Sequence, residues 1–178
     1  MDIQKHQIRK TGADYYAINP KGNVPALTLP GGAVLNEGSA VLQWIADQNP
    51  ASKLAPAAGT TERYLLQNTL NYISSEFQAS GIRLVAFPPN DAAKEVFRAS
   101  LLKKLTYTND VLLKAGKFLC GEDLTVADIY LWVMTSSLGR PMIGIDLAPY
   151  KNIVAFQQAV QAEPRFQKAQ EAMKAASA

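Results

Sequence analysis

Residues 23–47 read NVPALTLPGGAVLNEGSAVLQWIAD, and they combine a strand-turn-strand pattern with a helix pattern. Two apolar runs, 26–29 and 33–35, flank a Pro-Gly-Gly turn at 30–32, where the glycines can adopt the positive φ that a tight turn needs. Apolar residues then recur at helical spacing between Gly38 and Asp47. The stretch therefore predicts a β-hairpin that leads directly into an amphipathic helix.

The chain changes character after this stretch. Its first 50 residues are rich in turn formers, whereas residues 60–175 carry apolar side chains at three- and four-residue spacing. The segment 49–56 contains two prolines and is interpreted as a linker. These patterns predict an α+β protein with one domain at 1–50 and an all-helical domain at 58–178.

A helix start is signalled most clearly at Thr125. Thr125 can cap the helix, and Asp128, three residues on, can reciprocate, so that the two form a capping box. Residues 130–134 are apolar on every side, which predicts a helix buried at the centre of a bundle. A last helix is predicted to begin at Pro164, because proline is favoured at the first helical position.

Composition and charge exclude several functional classes. The 178 residues carry a net charge of +3 without a basic stripe interleaved with aromatics, so no nucleic-acid partner is expected. The sequence shows neither a secretory signal nor an apolar run of membrane-spanning length, which predicts a soluble cytoplasmic protein with no membrane partner. One cysteine and one histidine offer neither a disulfide nor a metal site. The cysteine, Cys120, is predicted to be a small buried apolar residue.

The dipeptide Val24-Pro25 leads into the first strand of the hairpin. If its peptide bond is cis, Val24 can offer its N–H and C=O groups to an extended peptide by strand addition. If the bond is trans, the proline only marks a strand start. These residues alone leave both interpretations open.

The residues Glu37, Gly38 and Ser39 open the predicted helix. Unpaired N–H groups at a helix start attract a carboxylate, and a glutamate beside them can receive an ammonium group. The alternative is that Glu37 only helps to begin the helix. We favour the ligand-binding interpretation.

These motifs occur in a fixed order: residues 19–27, the glycine-turn hairpin, residues 37–45, and the capping box within a helical domain. In this order they resemble the cytosolic glutathione transferases, the bacterial beta-class members most closely, over residues 2–175. The resemblance implies an incomplete thioredoxin-like N-terminal domain, an all-helical C-terminal domain, and glutathione bound between them. It also implies a homodimer and no resident cofactor, with glutathione as the substrate or ligand.

The resemblance assigns roles to particular positions. Val24, before Pro25, would pair through its backbone with the cysteinyl part of glutathione, while Glu37 and the amides of Gly38 and Ser39 would take the γ-glutamyl end. The remaining positions that match the family's site are Lys5 or His6 for the glycyl carboxylate, Asn71 and Glu76 reaching in from the partner subunit, and Gln78. The alternatives are a solvated charge at a frayed end for Lys5 and His6, and an ordinary polar helix face for Asn71 and Glu76.

The sequence departs from the family at two places. Residues 1–4 match the second strand of the family fold, so the first strand and the first helix, which carry the thiol-activating Cys, Ser or Tyr, have no counterpart in this sequence. We expect the 26–29 strand to expose an edge and residues 1–8 to pair unusually, dock elsewhere or be disordered. The second departure is Gln78-Ala79, where beta-class relatives have a His-Lys pair; glutamine cannot act as a general base.

Two functions follow from the resemblance. The first is a transferase that conjugates glutathione to a small hydrophobic electrophile; its catalytic residues are unassigned, and the sequence as it stands is predicted to conjugate weakly or not at all. The second is a non-catalytic glutathione-binding or protein-interaction module that keeps the fold. The residues that line the electrophile pocket are also unassigned, because the candidates are equally suited to a core. The candidates are Tyr107, Trp132, Leu138 and Met142.

Overall fold

The computed structural model describes residues 5–86, 90–114 and 116–177. The chain divides into two compact units, Met1–Asn49 and Pro50–Ala178. The first unit contains a small sheet and one α-helix, and the second is helical. The architecture is the predicted one, a thioredoxin-like N-terminal domain followed by a helical C-terminal domain.

The first unit is built on the hairpin. Strand β1 (Leu27–Thr28) pairs antiparallel with β2 (Val34–Leu35), and Leu27 lies opposite Leu35. The turn between them has two glycines in a row at φ 91° and 90°, a conformation that costs residues with a Cβ more than it costs glycine. Helix α1 (Gly38–Asp47) begins three residues after β2, with the bounds that the sequence predicts.

The segment before Tyr15 folds back on itself. The His6 carbonyl accepts a hydrogen bond from the Tyr15 N–H (2.8 Å), and the Ile8 N–H donates to the Ala13 carbonyl (2.9 Å). Within the described residues the sheet has two strands, and residues 6–8 pair with 13–15 rather than with β1. The predicted match of residues 1–4 to a family strand lies outside the described residues.

The second unit is a bundle of helices. Its fully buried apolar side chains come from several helices: Leu66, Leu70, Ile73, Leu101, Leu105, Leu131, Ile153 and Val160. In the described ranges, no helix has both the length and the hydrophobicity needed to cross a bilayer. The helices are α2 (Thr61–Tyr72), α3 (Ala79–Ala86), α4 (Asp91–Tyr107), α5 (Val126–Ser136), α6 (Lys151–Gln161) and α7 (Pro164–Ser177).

Two π-helical turns extend these helices. One, Ile73–Gln78, joins α2 to α3, and the other, Thr108–Leu112, follows α4. The apolar spacing predicts helix across both places but not the π conformation. A π turn shifts the hydrogen bonds from i→i+4 to i→i+5, so it changes which side chains share a face without ending the helix.

The predicted linker at 49–56 is not a free connection. Three of its carbonyl groups accept hydrogen bonds from helices, one from α2, which follows directly, and two from α5 and α7, which lie much later in the chain. The bonds are Arg165 Nη1 to Ser52 O (2.6 Å), Val126 N to Leu54 O (2.9 Å) and Arg63 Nη1 to Pro56 O (2.7 Å). Residues 50–56 are therefore part of the helical unit.

The capping box at the start of α5 is confirmed. The carboxylate of Asp128 accepts hydrogen bonds from the Thr125 N–H (2.8 Å), the Thr125 hydroxyl (2.7 Å) and the Leu119 N–H (2.7 Å). The Asp128 side chain has no exposed surface, and this burial raises the pKa of its carboxyl, while the hydrogen bonds from Leu119 and Thr125 oppose the increase.

The prediction that residues 130–134 are buried on every side is wrong. Leu131 is fully buried, but Val133 is 46% exposed. The reason is a groove of about 470 Å³ between α5 and α7, into which Val133 and Trp132 face together with Met173 of α7. Helix α5 therefore buries one face in the bundle and leaves the other face in this groove.

The prediction that Cys120 is buried is also wrong. Cys120 lies on a tight turn between Phe118 and Gly121, in which Phe118 enters the core and the cysteine residue is exposed. Partial burial of the sulfur raises the pKa of the Cys120 thiol to about 11, and the nearby Asp128 charge adds to the increase. A thiol with that pKa is a poor nucleophile at neutral pH.

Candidate glutathione-binding site

The loop before Val24 is organised around a buried asparagine. Asn19 has no exposed surface, and its Nδ2 donates to both the carbonyl oxygen (2.7 Å) and the side-chain oxygen (2.8 Å) of Asn23. The Tyr15 hydroxyl donates to the same Asn23 carbonyl at 2.7 Å. The loop is therefore held from inside by two side chains.

The backbone of Val24 is open. The Val24-Pro25 peptide bond is cis, and the Val24 residue is 56% exposed. Within the described residues, neither the N–H nor the C=O group of Val24 has a hydrogen-bond partner. An exposed, unpaired donor and acceptor on one residue are what an extended peptide needs for strand addition.

Glu37 begins α1 but does not cap it with its side chain. Its carbonyl accepts the N–H groups of Ala40 and Val41 (both 3.0 Å), whereas its carboxylate makes no capping hydrogen bond. The carboxylate instead lies 2.5 Å from Lys21 Nζ, and both side chains are more than half exposed. The Glu37 side chain is therefore paired with Lys21 rather than with the amides at the helix start.

The residues at the start of α1, Gly38 and Ser39, are the second part of the predicted site. The Gly38 N–H has no hydrogen-bond partner in the described part of the chain. Ser39, next to it, accepts a hydrogen bond from Gln43 Nε2 on its carbonyl (3.2 Å). Helix-start amides next to a carboxylate can hold both charges of an α-amino acid group, the anion on the amides and the ammonium on Glu37.

His6 packs beside this loop. Its ring lies against the ring of Tyr16 at an angle of 42°, with 4.9 Å between the centroids, and the ring of Tyr16 in turn packs over Gly22. The His6 side chain is half-buried, so it is not a solvated group at a frayed end. Its Nδ1 is buried without a hydrogen-bond partner among the described residues. Lys5 is exposed.

Three further predicted residues lie in the helical unit. Asn71 is exposed near the end of α2, and Glu76 and Gln78 lie in the π-helical turn that follows. The Glu76 carboxylate pairs with the Lys104 ammonium. Gln78 accepts a hydrogen bond from the Tyr130 hydroxyl. The predicted site residues thus form one group in the first unit and another in the second.

The helical unit also contains an apolar cavity of about 260 Å³. It lies between α3 and the segment after α5, and Leu138 and Met142, two of the four candidates for an electrophile pocket, line it. The other two do not, because Trp132 faces the α5–α7 groove and Tyr107 lies in a polar cavity beside Glu76.

Both parts of the chain match known domain families. The N-terminal domain profile of glutathione S-transferases matches residues 3–48, and a C-terminal domain profile of the same family matches residues 79–171. The chain belongs to the glutathione S-transferase family.

Individual members of the family are similar over most of the chain. Glutathione S-transferase GstA of Escherichia coli O157:H7 is 35% identical over 95% of this chain and 82% of its own length. A sphingomonad glutathione S-transferase solved as a complex with glutathione is 38% identical, with a TM-score of 0.86 over 97% of this chain and 84% of that one. The bacterial glutathione S-transferase BphK, solved as a ternary complex, is 39% identical with a TM-score of 0.88 and the same coverage.

Sequence reasoning about this glutathione S-transferase missed the residues that support the site. Asn19, Lys21 and Asn36 were not singled out, although each lies within a quoted motif or next to one. Asn36 Nδ2 donates to Asn19 Oδ1 at 3.0 Å, so the loop and the helix start are connected. The available signal was the density of asparagines, residues that bond readily to nearby backbone, around Val24 and Glu37.

Proposed function

We propose that this protein binds glutathione, with the backbone of Val24 and the start of α1 as its two contacts. The observation that carries the proposal is an open backbone donor and acceptor at Val24 together with an open amide at Gly38. Both belong to the first unit, and Asn19 connects the segments that carry them.

Each part of glutathione has a chemical partner in this arrangement. The cysteinyl peptide group pairs with the N–H and C=O of Val24, next to Pro25. The α-carboxylate of the γ-glutamyl end accepts from the amides of Gly38 and Ser39, and its ammonium donates to Glu37. Lys5 or His6 takes the glycyl carboxylate. A relative that is 38% identical was solved with glutathione bound, which supports this choice of ligand.

A conjugation reaction is the catalytic extension of this proposal. The glutathione sulfur would form a bond to the electrophilic carbon of an acceptor, the leaving group would depart with the bonding electron pair, and the thiol proton would pass to water. The apolar cavity lined by Leu138 and Met142 suits a small hydrophobic acceptor. Gln78 contributes no general base, so conjugation is expected to be slow.

The proposed active form is a cytoplasmic homodimer. In that form Asn71 and Glu76 would contribute to the glutathione site of the partner subunit. Sedimentation velocity gives the oligomeric state directly. A monomer at all concentrations used for glutathione binding would remove this role of Asn71 and Glu76.

Retention on immobilised glutathione tests the proposed function. The protein is expected to bind the resin and to elute with free glutathione, whereas a Glu37→Ala variant should pass through earlier. Passage of the wild-type protein without retention would contradict the proposal. A chloronitrobenzene acceptor then separates the two functions, because measurable conjugation identifies a transferase and binding without conjugation identifies a non-catalytic module.

A further inference from the structure

Asn19 is hydrogen-bonded to both arms of the proposed glutathione site. Its Nδ2 donates to Asn23 O and Asn23 Oδ1, next to Val24, and its Oδ1 accepts from Asn36 Nδ2, next to Glu37. The Lys21 N–H donates to the same Oδ1 at 3.2 Å. All four bonds come from one side chain with no exposed surface.

The orientation of the Asn19 amide is determined by its partners. A backbone carbonyl can only accept a hydrogen bond, so the end of the Asn19 side chain that faces Asn23 O must be its NH₂ group. A backbone N–H can only donate, so the atom facing the Lys21 amide must be the oxygen. The two ends of the amide therefore cannot be exchanged without the loss of both bonds.

The bond to the Asn23 carbonyl also orients Val24. Asn23 C=O and Val24 N–H belong to one peptide group, which is planar and trans, so the two point in opposite directions. Asn19 and Tyr15 hold the carbonyl inward at 2.7 Å each. The Val24 N–H therefore points out of the loop. A ligand can reach it on that side.

We infer that Asn19 is the positioning residue of the glutathione site, and this inference rests on the proposed function. Asn19 fixes the direction of the Val24 N–H and the position of the segment that precedes Glu37. It touches no part of the ligand. Its effect on affinity comes from preorganisation, because a loop held in its binding conformation loses less conformational freedom when the ligand binds.

The substitution Asn19→Asp separates the two arms. A carboxylate at position 19 still accepts hydrogen bonds from Asn36 Nδ2 and from the Lys21 N–H. It cannot donate to the Asn23 carbonyl oxygen, and its negative charge repels that oxygen. The expected result is a glutathione Kd at least about tenfold higher than that of the wild type, measured by calorimetry on the full chain. Circular dichroism at the same temperature must show a folded protein. A Kd within about twofold of the wild type would overturn the inference.

A modified ligand distinguishes positioning from a general loss of stability. Glutathione in which an alkene replaces the cysteinyl-glycine peptide group has no cysteinyl carbonyl to accept from the Val24 N–H, so the wild type should bind it at least about tenfold more weakly than glutathione. The Asn19→Asp variant, whose Val24 contact is already impaired, should bind the two ligands with nearly equal affinity. If Asn19→Asp prefers glutathione over the modified ligand as strongly as the wild type does, the inference is wrong.

Asn109 provides the matched control. It is another buried asparagine, and its Oδ1 accepts from the backbone N–H groups of Asn152 (3.0 Å) and Ile153 (3.2 Å) in the helical unit. Asn109→Ala should lower the melting temperature and leave the glutathione Kd unchanged. A raised Kd in this control, matching that of Asn19→Asp, would show a nonspecific effect and overturn the inference.

A second variant covers the case in which Asn19→Asp does not fold. Asn36→Ala removes only the bond between the helix start and Asn19, at a half-buried position. It should weaken glutathione binding by about threefold or more and keep the preference for glutathione over the alkene analogue. Unchanged affinity would overturn the inference. Failure of the wild type to bind glutathione would overturn the proposed function itself, whereas equal binding by wild type and variants would overturn only the role of Asn19.

Discussion

Lys21 Nζ lies 2.5 Å from Glu37 Oε1, which joins the loop before Val24 to the start of α1 at the protein surface. Both side chains are more than half exposed, so the pair contributes about 0–1 kcal/mol to stability at most. The role of this pair is to orient the Glu37 carboxylate. Lys21 occupies one oxygen of Glu37 and leaves the other, Oε2, for the ammonium group of a ligand.

Lys21→Met is expected to weaken glutathione binding by about two- to fivefold, because Glu37 loses its orientation and a negatively charged ligand loses a nearby cation. The effect should decrease with added salt. In a Glu37→Ala background the same substitution should have little further effect, and a calorimetric double-mutant cycle measures this coupling. Tighter binding by Lys21→Met would show that Lys21 competes with the ligand for Glu37.

Asp128 makes the stability of the helical unit depend on pH. Burial raises its pKa above the ordinary value of 3.8, so the folded protein binds the proton more tightly than the unfolded chain does. The stability that this group supplies is therefore complete at acid pH and is lost as the pH rises through the folded-state pKa. Asp128→Asn should cost about 1–3 kcal/mol at about pH 4, and the cost should become smaller toward about pH 7.

Urea unfolding of both proteins across this pH range measures the difference. Asp146→Asn is the control, since Asp146 is exposed and accepts one backbone hydrogen bond, from Ala148 at 2.9 Å. That variant should differ from the wild type by less than about 0.5 kcal/mol. A cost for Asp128→Asn that grows with pH would mean that the folded protein prefers the ionised carboxylate.

Cys120 should react slowly with iodoacetamide despite its exposed position. A rise in pKa from 9.0 to about 11 lowers the thiolate fraction at neutral pH, and therefore the alkylation rate, by about a hundredfold. Comparison of the folded protein with the urea-unfolded chain checks this expectation, and equal rates would refute it. Cys120→Ser should leave glutathione affinity unaltered, whereas a loss of affinity would make the cysteine part of the site.

Local patterns predicted much of this fold. The Pro-Gly-Gly turn, the spacing within α1 and the capping box at Thr125 involve residues that are close in sequence, and all three are present in the structure. The family resemblance carried the same prediction to the whole chain, because it depends on the order of such motifs.

The parts that the sequence did not predict depend on contacts between distant residues. The segment 49–56 is attached through Arg165, over a hundred positions away, and Val133 is exposed because α7 leaves a groove beside α5. The central position of Asn19 depends on bonds to Asn23 and to Asn36 together. No periodic pattern contains that information, since each asparagine by itself is an ordinary loop residue.

Calorimetric titration of glutathione into the wild type and into Glu37→Ala measures how much Glu37 contributes to ligand binding. Glu62→Ala is the matched control, because Glu62 is an exposed acid in the first turn of α2. We expect the wild type and Glu62→Ala to bind alike and Glu37→Ala to bind at least about tenfold more weakly. Equal binding by all three proteins would contradict this expectation and remove Glu37 from the site.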